Sequence, residues 1–194
     1  KALAAAPLQP GFQAWLFAAF LAAFAVKVPM FPVHTWLPDA HTEAPTAGSV
    51  ILAGILLKMG AYGFLRVSLP ILPDGVQLFL TPMLVISVVA IVFGAYVTLA
   101  QTDIKRLIAY SSVSHMGYVI MGLATLDPIG INGSVLQMIS HGIMTALFFA
   151  LVGSIYEQTH LRDIRVLEGL AKRMGVTAAF FGVAALTSLG LPGF

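Results

Sequence analysis

The 194-residue sequence has no cysteine, which excludes a disulfide framework, a thiolate metal site and a dithiol redox motif. Charge is scarce too: Asp, Glu, Lys and Arg are 9% of the residues against 59% hydrophobic, far from the quarter-charged make-up of a soluble domain. There is no phosphate-cradling glycine loop, nucleophile elbow or dinucleotide fingerprint, so nothing indicates nucleotide binding or hydrolysis. The opening KALAAAPLQPG lacks an initiator Met and the small-residue cleavage pattern of a signal peptide. Both ends, the second inside ALTSLGLPGF, read as cuts in a longer chain.

What the sequence has is long apolar runs. Near 12–28, 46–66, 77–99, 106–126, 133–156 and 176–194 they approach the ~20 residues a spanning helix needs. The expected fold is all-α, a polytopic transmembrane bundle of five full spans and a partial sixth. Turn chemistry separates the runs at LPILPDG (69–75) and LDPIGING (126–133), and the polar stretch 156–175 is long enough for a short interfacial helix. The net charge of +2 comes from basic residues in short loops, which set topology rather than mark a nucleic-acid surface. Lys105 and Arg106 in one connection and Arg162, Arg165, Lys172 and Arg173 in another place the loops 100–106 and 157–175 on the cytoplasmic side, with the HTEAPT corner beside them.

The first span should break. Pro29 and Pro32, followed by Pro38, remove backbone donors and clash with the preceding turn, so a helix entering from residue 12 ends near 28–32 and resumes towards His41. Unpaired backbone is tolerated at membrane depth only where protein or a wet cavity covers it. Pro192 in SLGLPGF starts a second interruption, and two such segments are the sign of a transporter with repeated halves.

Lys58 lies amid apolar and small residues in AGILLKMGAYGFL, with no acid nearby. If its helix ends at Arg66, it sits roughly 12 Å inside the interface at 1.5 Å per residue. A lysine at a helix centre costs about 2.5–3.5 kcal/mol to insert and nearly always faces a bundle interior or a wet path; the competing account is snorkelling to the surface. A lysine in such a place can release and rebind a proton, as arginine cannot. Gly54, Lys58 and Tyr62 share its face.

Lys27 stands at the lip of the proline break, either as an interfacial anchor or at mid-depth near Lys58. At about 10 Å and an effective dielectric of ~20, two such charges repel by roughly 1.7 kcal/mol, so a proton on one discourages a proton on the other. His115 shares a helical face with Ser111, Tyr118 and Gly122, and His141 stands in a polar stripe with Ser134, Gln137 and Thr145. Each histidine alone fits a hydrogen-bonded packing role. Two on polar-striped helices beside a lysine suit a wetted path, because imidazole accepts a proton on one nitrogen and donates from the other. His34, Asp39 and His41 in HTWLPDAH match no standard ligand spacing, so no metal is expected there; Ser87, Ala90, Gly94 and Thr98 form a small-residue packing stripe.

Residues 24–66, QTDIKRLIAYSSVSHMGYV and LQMISHGIMTALFFALVGSIYEQTHLRDI closely resemble the antiporter-like subunits of proton-pumping NADH–quinone oxidoreductase, respiratory complex I. The resemblance covers nearly the whole chain. It implies about fourteen helices in two inverted five-helix units with one broken helix each; residues 11–66 would close the first unit and 76–194 open the second. It implies that Lys27 is the lysine of the first broken helix, Lys58 the central lysine, and His115 and His141 the relay towards the second half. It further implies no cofactor in this subunit, redox chemistry elsewhere in the complex, neighbouring membrane-arm subunits as partners, and a plasma or organelle inner membrane or thylakoid location. A multisubunit cation/proton antiporter or membrane-bound hydrogenase subunit shares these lysines. A haem-binding anchor ligated by His115 and His141, or a purely structural assembly subunit, are readings of other classes.

Overall fold

A computed structural model describes residues 8–191, and the elements there are helices: α1 Pro10–Lys27, α2 Trp36–Glu43, α3 Thr46–Ile71, α4 Pro73–Leu99, α5 Ile104–Ala124, α6 Pro128–Thr159, α7 Leu170–Arg173 and α8 Gly175–Ser188. Five of them, α1 and α3 to α6, are long and apolar enough to cross a membrane, and α8 is a shorter apolar helix. α4 and α6 begin earlier than hydropathy alone suggests, each with proline in its first turn, where the missing N–H has no intrahelical partner anyway. Aspartate caps start two spans: Asp103 accepts from the Lys105 and Arg106 N–H groups, and Asp127 from that of Ile129.

The first span breaks where the prolines require. α1 ends at Lys27, and α2 resumes at Trp36 and runs through His41 to Glu43. Trp36 Nε1–H donates to Val26 O at 3.0 Å, tying the resumed half to the end of the first. Pro29 is buried within the break and Pro32 is exposed. Pro192 lies outside the described residues.

α3 differs from the expectation. It does not end at Arg66 but continues to Ile71, with Pro70 in its last turn. The chain widens into π turns at Leu52–Leu56 and Phe64–Ser68, and the second shifts the hydrogen-bond ladder just before Pro70, which lets a proline sit there without ending the helix. Lys58 is thus 58 − 46 = 12 residues from one end of the helix and 71 − 58 = 13 from the other. At mid-helix, snorkelling has no nearby interface to reach.

Small residues let the helices close on one another. A Cβ at Gly94 of α4 would fall 2.8 Å from Ser114 N of α5, and Ser114 Oγ donates to Ile91 O at 3.0 Å across that seam, which Ser87 and Ala90 also line. α3 meets α6 at Gly54 and Gly142, where a Cβ at Gly142 would lie 2.8 Å from Gly54 O. α5 meets α6 through Ser134 Oγ, which donates to Val119 O at 2.8 Å.

The three stretches expected on one side of the membrane do meet at one end. Ile104 N–H donates to Arg162 O and Ile164 N–H to Thr102 O, joining the loops before α5 and after α6. Arg162 donates to Thr42 O at 3.2 Å, which brings the corner after α2 to the same place. Nearby, hydrogen bonds from the Arg165 side chain and then its N–H hold the Asp163 carboxyl down at about 2. That turn keeps its ion pair above the usual carboxylate range near 3.9 and loses it only as pH falls through about 2.

Replacing Gly94 by Leu should force α4 from α5 and cost about 1–3 kcal/mol. A lower unfolding temperature of the detergent-solubilised full-length subunit is the expected result; an unchanged one contradicts this packing.

Candidate functional site

The site is built where α3 crosses α6. Because Gly54 and Gly142 carry no side chains, the two backbones approach closely enough for one side chain on each to meet. Lys58 Nζ lies 2.7 Å from His141 Nδ1 and folds back to donate to Ala53 O, in the π turn just before it, at 2.5 Å. With Lys58 charged, its ammonium donates to a neutral His141 whose hydrogen sits on Nε2. Moving the proton to Nδ1 reverses the donor and acceptor without moving a heavy atom. π turns of this kind often mark functional positions.

His141 is 1% exposed, and Thr145 Oγ1 donates to its carbonyl at 2.6 Å, fixing the turn that carries it. His115 of α5 stands next, its ring centroid 5.2 Å from that of His141 and tilted by 42°. Gln137 Nε2 lies 3.2 Å from His115 Nδ1, and Tyr118 lies beyond at 6.4 Å between ring centroids. A cavity of about 580 Å³ opens beside the two histidines, lined also by Tyr118, Ser134, Gln137 and Ser140. His141 Nε2 has no hydrogen-bond partner among the described residues. Three of the four expected proton-carrying residues thus form one line, Lys58–His141–His115. A macrocycle held between these imidazoles would have to part rings that are now 5.2 Å apart.

Lys27 is placed differently. A Cβ at Gly60 would fall 3.1 Å from the Lys27 Cβ, so the end of α1 packs on the face of α3 that carries Gly60. Residues 58 and 60 are about 200° apart on a helix, so the two lysines flank α3 from opposite sides rather than facing one another. Gly54, Lys58 and Tyr62 do share one groove, whereas the Ser111 hydroxyl donates to Ile108 O of its own helix.

The HTWLPDAH residues disperse. His34 packs among Phe31, Phe93 and Tyr110, Asp39 pairs with Arg106, and His41 stacks on Phe149 at 4.3 Å with both ring nitrogens unpartnered among the described residues. Two features lay beyond sequence reasoning. The carbonyl of Ala53 carries no side-chain signal, and the burial of Lys105 is disguised by its place in a basic loop.

A broken span and a half-buried Lys–His line at mid-helix within a bundle of crossing helices define a membrane protein of the antiporter-like class. The chain belongs to the NADH:quinone oxidoreductase/Mrp antiporter transmembrane family, whose profile matches residues 4–194. It is 53% identical over 186 residues to NADH-quinone oxidoreductase subunit M of Rhodobacter capsulatus, covering 96% of this chain and 36% of that protein. It thus spans little more than a third of the length of such relatives. Among solved structures, a chain of respiratory complex I from Thermus thermophilus with bound NADH superposes with a TM-score of 0.93 at 34% identity, over 98% of this chain and 41% of that one. A chain of the Mrp complex from Dietzia sp. DQ12-45-1b gives a TM-score of 0.88 at 27% identity, over 93% and 34%.

The 2.7 Å contact predicts strong coupling between Lys58 and His141. Substituting His141→Leu should destabilise the full-length subunit by about 1–3 kcal/mol, because it strips a half-buried charged donor of its partner. Adding Lys58→Met should recover part of that loss, since removing both partners is far cheaper than removing one. A thermal-denaturation double-mutant cycle measures this, and strictly additive losses contradict it.

Proposed function

We propose that this chain is part of a proton-translocating membrane-arm subunit of an NADH–quinone oxidoreductase. Lys58 is the central site that takes up and releases the proton, His141 and His115 pass it along α6 and α5, and Lys27 acts on Lys58 electrostatically from across α3. The observation that carries this reading is the 2.7 Å contact between Lys58 Nζ and His141 Nδ1, a distance at which a proton changes owner without other motion. The histidine pair extends the line into a cavity large enough for several waters, which can bridge the remaining gap.

In this reading the subunit holds no redox site or cofactor of its own. Electron transfer to quinone elsewhere in the complex supplies the drive, and neighbouring membrane-arm subunits are its partners. The drive has to be substantial, since moving one charge against 100 mV costs about 2.3 kcal/mol. The membrane is the bacterial plasma membrane, in keeping with the bacterial relative at 53% identity. A second reading, a subunit of a cation/proton antiporter, draws on the likeness to the Mrp complex chain but at the lower identity of 27%.

Lys58→Ala, introduced into the full-length subunit within its assembled complex, should leave NADH–quinone electron transfer running while fewer protons are moved per electron. Lys58→Arg should fail likewise, because a guanidinium does not give up its proton. Acidification of sealed membrane vesicles, read beside NADH oxidation, measures both. Unchanged pumping overturns the assignment, and Na⁺ movement without electron input favours the antiporter reading.

A further inference from the structure

α2 is a helix of eight residues whose last carbonyls have no partners within it; its end is partly exposed, Glu43 lying on the surface while His41 is fully buried, and the donors come from other elements. These carbonyls receive them from a buried lysine. Lys105, in the first turn of α5, is 3% exposed, and its ammonium donates to Ala44 O at 3.0 Å and His41 O at 3.4 Å. No carboxylate oxygen lies within salt-bridge distance of it among the described residues: Asp103 is occupied as the helix cap, and Asp39 pairs with Arg106. The hydrogen bonds of the ammonium therefore go to carbonyls, at the end of a helix whose dipole attracts cations, with the Asp103 carboxylate as an opposite charge at longer range. Arg162 caps the same helix end, donating to Thr42 O while its guanidinium lies 4.3 Å from the centroid of the Tyr156 ring, although its charge opposes that of Lys105.

The capped corner is joined to the site at two points. Ser49 Oγ of α3 donates to His41 O at 3.2 Å, tying the first turn of α3 to the carbonyl that Lys105 holds. At the other end of α2, the fully buried Leu37 packs in one cluster with Val113 and with Leu57, the residue before Lys58. A tilt of α2 therefore has to displace the turn carrying Lys58, whose contact with His141 is short and directional.

We propose that Lys105 is a positioning residue for the Lys58–His141 site: its ammonium fixes the end of α2 and the start of α3, and through Leu37 and Leu57 it sets Lys58 against His141. This rests on the reading of Lys58 given above. The neutral isostere Lys105→Met removes the cap and keeps the length. In the assembled complex it should abolish at least half of the proton movement per electron that Lys58→Ala abolishes, with electron transfer retained. Lys105→Arg, which keeps a cation at the carbonyls, should restore it.

Because Lys105→Met can fail to assemble, Lys105→Gln is examined in parallel, with hydrogen exchange of the peptide 41–50 in the full-length subunit. The shorter, uncharged amide should raise exchange there about three-fold or more, and arginine should reverse the rise. Full pumping per electron in Lys105→Met, or unchanged exchange in Lys105→Gln, overturns the proposal. If Lys58→Ala itself leaves pumping intact, the reading of Lys58 fails instead, and the exchange result still decides whether Lys105 fixes the corner.

Discussion

The structure turns on the problem of keeping an ammonium at the middle of an apolar helix. Lys58 is answered by one imidazole nitrogen and one carbonyl, and both come from departures from regular helix packing. The π turn before Lys58 brings Ala53 O within reach, and the glycine crossing of α3 and α6 brings His141. A side chain at Gly142 would hold the helices apart and leave the lysine with half its partners. Small residues here serve the charge as much as they serve packing.

The same constraint governs the proline break. An interruption at membrane depth exposes carbonyls that lipid cannot satisfy, so the protein must supply donors. Trp36 meets Val26 O at the break, while Lys105, Arg162 and Ser49 meet the carbonyls of residues 41–44 at the far end of α2, where it joins the polar end of the bundle. The half-helix α2 is therefore held at both ends by side chains of other elements, not by continuity of its own ladder. Such an element moves as a unit if one of its donors changes, which is a natural basis for coupling the polar end of the bundle to its interior.

Much of this was legible in the sequence because lipid imposes simple rules. Run length gave the spans, prolines gave the break, and the placement of Lys105, Arg106, Arg162 and Arg165 grouped two loops at one end. Lys58, His115 and His141 stood out because ionisable residues are rare in such runs. Less legible were matters that depend on three-dimensional approach. The end of α3 was misplaced at Arg66, because a π turn lets Pro70 remain helical and no side-chain signal announces that turn. Lys27 read either as an interfacial anchor or as a mid-depth neighbour of Lys58, because hydropathy says nothing about which side of α3 a neighbour occupies; the close contact at Gly60 puts it on the side away from Lys58. The burial of Lys105 was hidden because a basic residue in a loop is ordinarily a solvated topology signal.

The arrangement also limits how many protons the proposed path can hold. Lys58 and His141 lie 2.7 Å apart, and two unit charges even at 4 Å repel by about 4 kcal/mol at an effective dielectric of 20. The pair therefore carries one proton between them, and His115 offers the next place along the line for it to go. A second proton can reach Lys58 only after the first has passed beyond His141. In the proposed function Lys27, across the helix, has only a longer-range influence, weaker than the repulsion within the close pair. Strict exclusion at close range and graded influence at longer range are together sufficient to give a line of basic groups a direction, once an outside drive sets the order in which they fill.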